Sequence, residues 1–314
     1  MSVLLAVTGW DVAPWRDRLS ALLPDHEIAT PQSPADRAAV HYAVCWRPAP
    51  GALAGLPNLQ AIFSLGAGVD HLFADPDLPR VPIVRLVDPD LRDRMSEWVV
   101  LHVLMHHRQQ KLYDRQQGER VWASDDAQPA AAEVRVGVLG LGELGRDAAR
   151  KLRALGFDVA GWSASAKSEP GVACFHGADG LDAMLARTDI LIALLPLTET
   201  TRGLLNARLF AKLAQDGRLG GPFLVNAGRG GLQVEADILA ALDAGVLKGA
   251  SLDVFETEPL AAQSRLWSHP AVYVSPHNAA ISALGAVSRY VAEQILAHER
   301  GAPLRNVVDR GRGY

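Results

Sequence analysis

Cysteine is scarce in this chain of 314 residues, which holds only Cys45 and Cys174. Two cysteines cannot build a disulfide framework, and their rarity suits the reducing cytoplasm. Neither has an obvious base beside it in the sequence, so both read as small buried hydrophobes and not as nucleophiles. An excess of positive charge is missing too. Lys and Arg number 31 against 35 Asp and Glu, a formal net charge of −4. That leaves no overall field of the kind that binding to nucleic acid or to an anionic membrane requires, so small molecules are the expected partners. No stretch approaches the ~18 apolar residues of a membrane span. The opening Met-Ser-Val-Leu-Leu-Ala-Val turns polar at once without a basic leader, and reads as a first strand instead of a signal peptide. No tandem repeat of fixed period is visible, which excludes a solenoid or propeller.

What is present is ample material for a core. Apolar residues make up 49% and charged residues 21%, the balance of a soluble globular protein, and the length suits one large or two ordinary domains. Short apolar segments at 3–7, 43–46, 61–65 and 83–87 read as strands, with a helix at 13–23 between the first two. A long helical pattern starts near Asp93 with a buried first half and turns polar through Arg108, Gln109, Gln110 and Lys111. After a turn-rich break at 125–132, six more strand candidates follow, at 134–139, 159–162, 190–195, 223–226, 250–254 and 272–274. A last helix at 282–299 ends before Gly301, placed as a capping glycine. Alternation of this kind predicts an α/β protein with parallel sheets, and six such strands make a complete dinucleotide-binding sheet.

The clearest chemical signal is Val138-Leu-Gly140-Leu-Gly142-Glu143-Leu144-Gly145, a Gly-x-Gly-x-x-Gly turn between a strand and a helix. Gly140 permits the tight turn, Gly142 lets a pyrophosphate approach the backbone, and Gly145 lets helix and strand pack closely. The first N–H groups of the helix, at Glu143 and Leu144, then face the phosphates. NAD-specific proteins place an Asp or Glu at the end of the next strand to bind the adenosine ribose. This chain has Trp162-Ser163-Ala164-Ser165-Ala166-Lys167 there. With no carboxylate to repel it, a 2′-phosphate meets two hydroxyls and an ammonium, so NADP(H) is the expected cofactor. An ordinary polar loop that also accepts NAD(H) is the alternative.

Polar side chains fall just past later strands, where an open α/β sheet presents its site. Arg229 follows Asn226-Ala227-Gly228, Glu258 follows Asp253-Val-Phe-Glu-Thr, and His277 follows Ser275-Pro276. A guanidinium is a planar fork for a carboxylate and can polarise a carbonyl. An imidazole ordinarily titrates near neutral pH and suits proton donation, and a nearby carboxylate would orient it and favour its charged form. Taken singly, Arg229 and Glu258 read equally as surface ion-pair partners and His277 as a loop histidine. Gly66-Ala67-Gly68 sits after a strand of the first half, where successive N–H groups suit a carboxylate; a plain tight turn is the alternative. His102 and His106 share a helix face, but no Glu lies between them as in metalloproteases and no third ligand is apparent. No metal site is expected.

The glycine loop, Asn-x-x-Arg-Gly, Asp-Val-Phe-x-x-Glu-Pro and Pro-His-x-Ala, in this order, resemble the D-2-hydroxyacid dehydrogenase family over nearly the whole chain. Trp162-Ser163 with its Ser/Lys cluster, and Ser64 to Asp70, are most similar to the glyoxylate/hydroxypyruvate reductases within it. That group carries Arg between the two serines, where Ala164 stands here. The resemblance implies two Rossmann-like doubly wound domains, with the dinucleotide-binding domain (99–285) inserted into a substrate domain (1–98 and 286–314). It implies Arg229, Glu258 and His277 as catalytic residues, and Trp46, Ala67 and Gly68 with Arg229 and His277 at the substrate, although Trp46 reads equally as a core residue. Leu195, Pro196 and Thr198 would form the turn on the nicotinamide side, with Ala227 nearby and Asp253 at the carboxamide. It further implies a homodimer joined through the region around 109–117 and the loop after it. The expected function is NADPH-preferring reduction of small 2-keto acids such as glyoxylate and hydroxypyruvate. A dehydrogenase for a bulkier acid, and a nicotinamide-sensing regulatory protein on the same fold, are the alternatives.

Overall fold

The computed structural model describes residues 1–32 and 36–314. In chain order, the elements are β1 (Ser2–Val7), α1 (Ala13–Leu22), β2 (Glu27–Ala29), β3 (Val40–Trp46), β4 (Ala61–Ser64), α2 (Asp70–Phe73), β5 (Ile83–Val84), α3 (Pro89–His107) and α4 (Gln110–Glu119). There follow β6 (Arg135–Leu139), α5 (Glu143–Ala154), β7 (Asp158–Ser163), β8 (Ala173–His176), α6 (Gly177–Leu185), β9 (Ile190–Ala193), α7 (Ala207–Phe210), β10 (Phe223–Asn226), α8 (Glu235–Asp243), β11 (Gly249–Leu252), β12 (Val272–Val274) and α9 (Leu284–Glu299).

The chain divides into two compact units, one of residues 1–91 and 282–314, the other of residues 92–281. The second is thus inserted in the sequence of the first. The first carries a five-stranded sheet in the order β2-β1-β3-β4-β5, the second a seven-stranded sheet in the order β12-β11-β10-β9-β6-β7-β8. Every strand pair is parallel. Both are doubly wound sheets, and in each the strand order reverses at one point, between β1 and β3 and between β6 and β9. At such points the loops leaving the carboxyl ends of the strands diverge and leave a crevice.

Alternation along the strands of the second unit separates two cores. Leu191, Ala193, Leu139 and Leu224 face one, with Phe210, Ile238 and Leu242. Ile190, Ile192, Val136, Val138 and Val225 face the other, where Val99 and Val103 of α3 and Ala148, Ala149 and Leu152 of α5 cover the sheet. Burial on both faces explains why these strands read as unbroken apolar runs. In the first unit, Leu4, Ala43, Cys45, Ile62, Leu72 and Ile83 form a corresponding core.

Some expectations need correction. The second sheet has seven strands, not six, because β8 adds an edge. It is short and partly exposed, so it lacks the apolar run that marks the interior strands. Likewise β2, three residues pairing only with β1, carries too little pattern to be read. The long helix starts earlier than Asp93, at Pro89. There the Asp88 carboxylate accepts from Asp90 N and Leu91 N, a side-chain cap that satisfies first-turn donors ahead of a Pro in the first turn. It also breaks at Gln109, whose φ of 55° separates α3 from α4. The units divide at 91/92 and 281/282, ahead of the expected 98/99 and 285/286. Ser96 Oγ donates to Asp147 of α5 at 2.6 Å and Lys151 of α5 reaches Asp93 at 3.2 Å, tying the start of α3 to the second unit. Ser282 Oγ donates to Leu65 O at 2.9 Å, tying the approach to α9 to the first.

Candidate active site

The three glycines after β6 do three different things. Gly140 takes a φ of 105° and donates to Trp162 O at 2.8 Å, so that the chain turns where a side chain would meet the Leu194 carbonyl. A Cβ on Gly145 would collide with the Gly140 carbonyl, which is how α5 packs against β6. A Cβ on Gly142 would meet nothing within 4 Å. The open side of the loop thus lies at the N-terminus of α5, a 12-residue helix beginning at Glu143 and Leu144. Unsatisfied N–H groups and the helix dipole there suit a pyrophosphate, so these residues fit a dinucleotide.

At the end of β7, Trp162 is anchored by its indole N–H to Gly177 O at 2.8 Å. Ser163 departs from expectation. It is 8% exposed and its hydroxyl donates to Ser165 O at 2.8 Å, so its proton shapes the turn instead of facing a phosphate. Ser165 and Lys167 are exposed and remain suitable donors. On the other side of the switch point, the turn after β9 holds Leu195, Pro196 and Thr198. Thr201 Oγ1 pins it, donating to Pro196 O at 2.7 Å and accepting from Thr198 N at 2.8 Å.

Arg229, Glu258 and His277 come from turns after β10, β11 and β12, neighbouring strands of the same sheet. His277 Nδ1 lies 2.8 and 3.0 Å from the two Glu258 carboxylate oxygens. Glu258 Oε1 also accepts from Phe255 N at 3.2 Å. Nδ1 therefore points at the carboxylate, and Nε2 makes no hydrogen bond among the described residues. The side chain of His277 is 31% exposed and that of Glu258 18%, so the pair is sheltered while the ring keeps access to solvent. Arg229 Nη1 donates to Gly228 O at 2.7 Å, which orients the guanidinium plane.

Residues of the Asn-x-x-Arg-Gly motif, together with Gln233, which the sequence did not single out, hold this arrangement. Buried Asn226 donates to Arg229 O at 3.2 Å and to Gln233 Oε1 at 2.8 Å, and accepts from Gly228 N at 3.0 Å. Gln233 in turn donates to Val254 O at 2.9 Å, joining the Arg229 turn to the turn after β11. A Cβ on Gly230 would collide with the Phe255 backbone, so glycine alone permits this approach. Ala227, 5% exposed, lies in the same turn. Asp253 is 1% exposed and accepts from Ser275 Oγ, Asn278 N and Ala279 N; these bonds put it to work in the loop that carries His277. Gln233 stands in the sequence as one polar residue past a strand, and nothing local marks it.

In the first unit, Ala67 and Gly68 follow β4. Ser64 Oγ accepts from Gly66 N at 3.2 Å and donates to Gly66 O at 3.0 Å, while the Ala67 and Gly68 N–H groups have no acceptor among the described residues. Trp46 ends β3 and stacks on Trp10 at 4.9 Å; its ring fills the space that a side chain on Gly66 would need. The indole is thus a wall of this loop and not core.

The sequence model of the D-isomer specific 2-hydroxyacid dehydrogenase NAD-binding domain matches residues 100–279. The chain belongs to the D-isomer specific 2-hydroxyacid dehydrogenase family. Among solved structures, this dehydrogenase resembles an NADPH-dependent glyoxylate/hydroxypyruvate reductase from Sinorhizobium meliloti in complex with NADP and sulfate. The two are 48% identical, with a TM-score of 0.94 over 100% of this chain and 99% of the other. A probable 2-hydroxyacid dehydrogenase from Rhizobium etli in complex with NADP is 46% identical, with a TM-score of 0.94 and the same coverage. A family member from Xanthobacter autotrophicus in complex with NADPH is 40% identical, with a TM-score of 0.93, again over 100% and 99%. No helix among the described residues of this dehydrogenase is long and apolar enough to cross a membrane.

His102 and His106, set aside above as metal ligands, have a structural role in the dehydrogenase. Both rings are buried against β11, with His102 Nδ1 and His106 Nε2 each 2.8 Å from Ser251 Oγ. Burial lowers His102 to about 4. It lowers His106 to about 3, with smaller contributions from His102 and Lys111. Both rings therefore stay neutral in the folded protein at pH values where an unfolded histidine, near 6.5, takes up a proton. Their contribution to stability is complete above that pH and is lost as pH falls toward 4, with a limiting slope of about 1.4 kcal/mol per pH unit for each ring. Urea midpoints measured between pH 7 and 5 are expected to fall, and more shallowly in His106→Gln. An equal slope in that variant would mean that other groups carry the acid sensitivity.

Proposed function

We propose that this protein is an NADPH-preferring reductase of small 2-keto acids, glyoxylate and hydroxypyruvate among them, acting as a cytoplasmic homodimer. The observation that carries the reading is the His277–Glu258 pair, with Arg229 in the turn after the neighbouring strand β10, on the same sheet edge as the open glycine loop. NADPH, when bound, supplies the hydride for the carbonyl carbon. Gly140, Gly142 and Gly145, with the first turn of α5, hold the pyrophosphate. Trp162, Ser165 and Lys167 flank the adenosine ribose, and the turn of Leu195, Pro196 and Thr198, with Ala227, flanks the nicotinamide.

Arg229 binds the substrate carboxylate and polarises the carbonyl with its planar fork. In its protonated form His277 donates from Nδ1 to Glu258 and carries a second proton on Nε2, which it delivers to the carbonyl oxygen as the carbon accepts the hydride. The products are the 2-hydroxy acid and NADP⁺, and the partly exposed ring regains its proton from solvent. Ala67 and Gly68 offer backbone N–H groups to a carboxylate, and Trp46 lines that loop. NADPH oxidation followed by absorbance with a panel of keto acids tests the reading. Turnover of glyoxylate or hydroxypyruvate is expected. A preference for a bulkier acid would move the substrate class, and no turnover with any acid would favour a nicotinamide-sensing protein.

The end of β7 supports the cofactor preference, with donors at Ser165 and Lys167 and no carboxylate in the turn. The kcat/KM ratio of NADPH over NADH is expected in the tens, since each charge-assisted contact contributes about 1.5–3 kcal/mol and Ala164 adds none. Ala164→Arg should raise the ratio and Lys167→Ala should lower it. A native preference for NADH would make this turn a neutral loop.

A second copy of the chain is supported by α4, which has no buried residue, and by the segment after it, where Trp122 is 102% and Val121 48% exposed. Exposed apolar side chains of this kind support a contact with a partner chain. Light scattering should give twice the mass of the chain. Cytoplasmic location is supported by the unpaired Cys45 and Cys174.

A further inference from the structure

Behind His277 runs a chain of hydrogen bonds that the proposed reaction does not use directly. The Trp98 indole N–H on α3 donates to Ser275 Oγ at 3.2 Å, and Ser275 Oγ donates to Asp253 Oδ1 at 2.6 Å. The direction of this chain admits no alternative. An indole N–H only donates and a carboxylate only accepts, so the hydroxyl between them has one allowed orientation. Its bond to the carboxylate is short and charge-assisted.

The Asp253 carboxylate in turn accepts from Asn278 N and Ala279 N, each at 3.0 Å. Its backbone carbonyl accepts from His277 N at 2.8 Å. The loop is thus gripped at His277 and at the two residues after it by one aspartate. His277 needs this grip because it sits at φ 53°, a conformation that a residue other than glycine keeps only when its surroundings over-determine it. Trp98 is itself fixed, packed against His102 with ring centroids 3.9 Å apart and the ring planes tilted by 38°.

We propose that Ser275 and Trp98 are positioning residues, which lock the Asp253 carboxylate and thereby hold the His277 ring on Glu258 for proton delivery. This rests on the reading of His277 as proton donor. Without the hydroxyl, the Asp253 carboxylate loses its strongest bond and its fixed rotamer, and the backbone at 277–279 loosens.

Three variants test it, with two readouts. In Ser275→Ala, kcat for keto-acid reduction should fall roughly 10- to 100-fold, the range that a misplaced catalytic group produces, with KM for the acid and Kd for NADPH within about twofold. Amide hydrogen exchange in the segment 275–281 should accelerate about tenfold or more. Ser275→Thr, which keeps the hydroxyl, should restore both, and Trp98→Phe should shift both in the same direction by less. Unchanged exchange in Ser275→Ala, accelerated exchange with an undiminished kcat, or a threonine variant as impaired as the alanine one would each overturn the proposal. If the native protein reduced no keto acid, the functional reading would fail separately, while the exchange measurement would still decide whether Ser275 holds the loop.

Discussion

Replacing His277 with alanine is expected to lower kcat for keto-acid reduction by roughly 10²- to 10⁴-fold, the usual contribution of a general acid. The size of the effect follows from geometry. Glu258 takes Nδ1 at 2.8 Å, so Nε2 alone is directed to deliver a proton. NADPH affinity, measured by fluorescence titration, should change little, because the glycine loop and the turn after β7 lie on other strands. Near-native turnover in His277→Ala would remove this ring from proton transfer. A large loss of NADPH binding would place it at the cofactor instead.

Arg229→Lys is expected to lower kcat/KM for keto acids by about 10²-fold, although the charge is kept. An ammonium is a point charge and cannot make two parallel bonds to a carboxylate; one charge-assisted bond lost is worth about 1.5–3 kcal/mol. Lysine would also abandon the bond to Gly228 O that orients the guanidinium. The turn itself should survive, since the Asn226 side chain bonds the Arg229 carbonyl and the Gln233 side chain, and Gly230 packs on the Phe255 backbone, none of which involves the Arg229 side chain. Steady-state kinetics with both substrates varied check the assignment. A change confined to the KM for NADPH would give Arg229 to the cofactor.

The parts of the site that were legible in the sequence are those written within one turn of chain. The glycine spacing at 140, 142 and 145 is readable because each glycine answers a local demand, a positive φ at Gly140 and a close helix–strand approach at Gly145. Arg229, Glu258 and His277 are readable because each stands just past an apolar strand, and the ends of parallel strands are where such sheets expose polar groups. Ser163 shows the limit of this reasoning. Its place at the end of β7 suggested a phosphate contact, yet the turn closes back on itself and the hydroxyl bonds Ser165 O. Local sequence cannot say which way a short side chain turns when a backbone acceptor lies two residues away.

The alternation of buried apolar runs with amphipathic helices suffices to specify parallel doubly wound sheets, since strands covered on both faces leave a signal that strand order does not blur. Edge strands β2 and β8 escape it because half-exposed residues carry no such run. The chain also carries the proposed reacting groups as recognisable residue types at recognisable distances. What depends on the folded molecule is how those groups are held. Asn226 meets Gln233, Ser251 bridges His102 and His106, and Trp98 reaches Ser275 across 177 positions of sequence. Such contacts are set by which sheet face and which rotamer two distant residues share, and a hydrogen bond of fixed direction forms only when both ends arrive together.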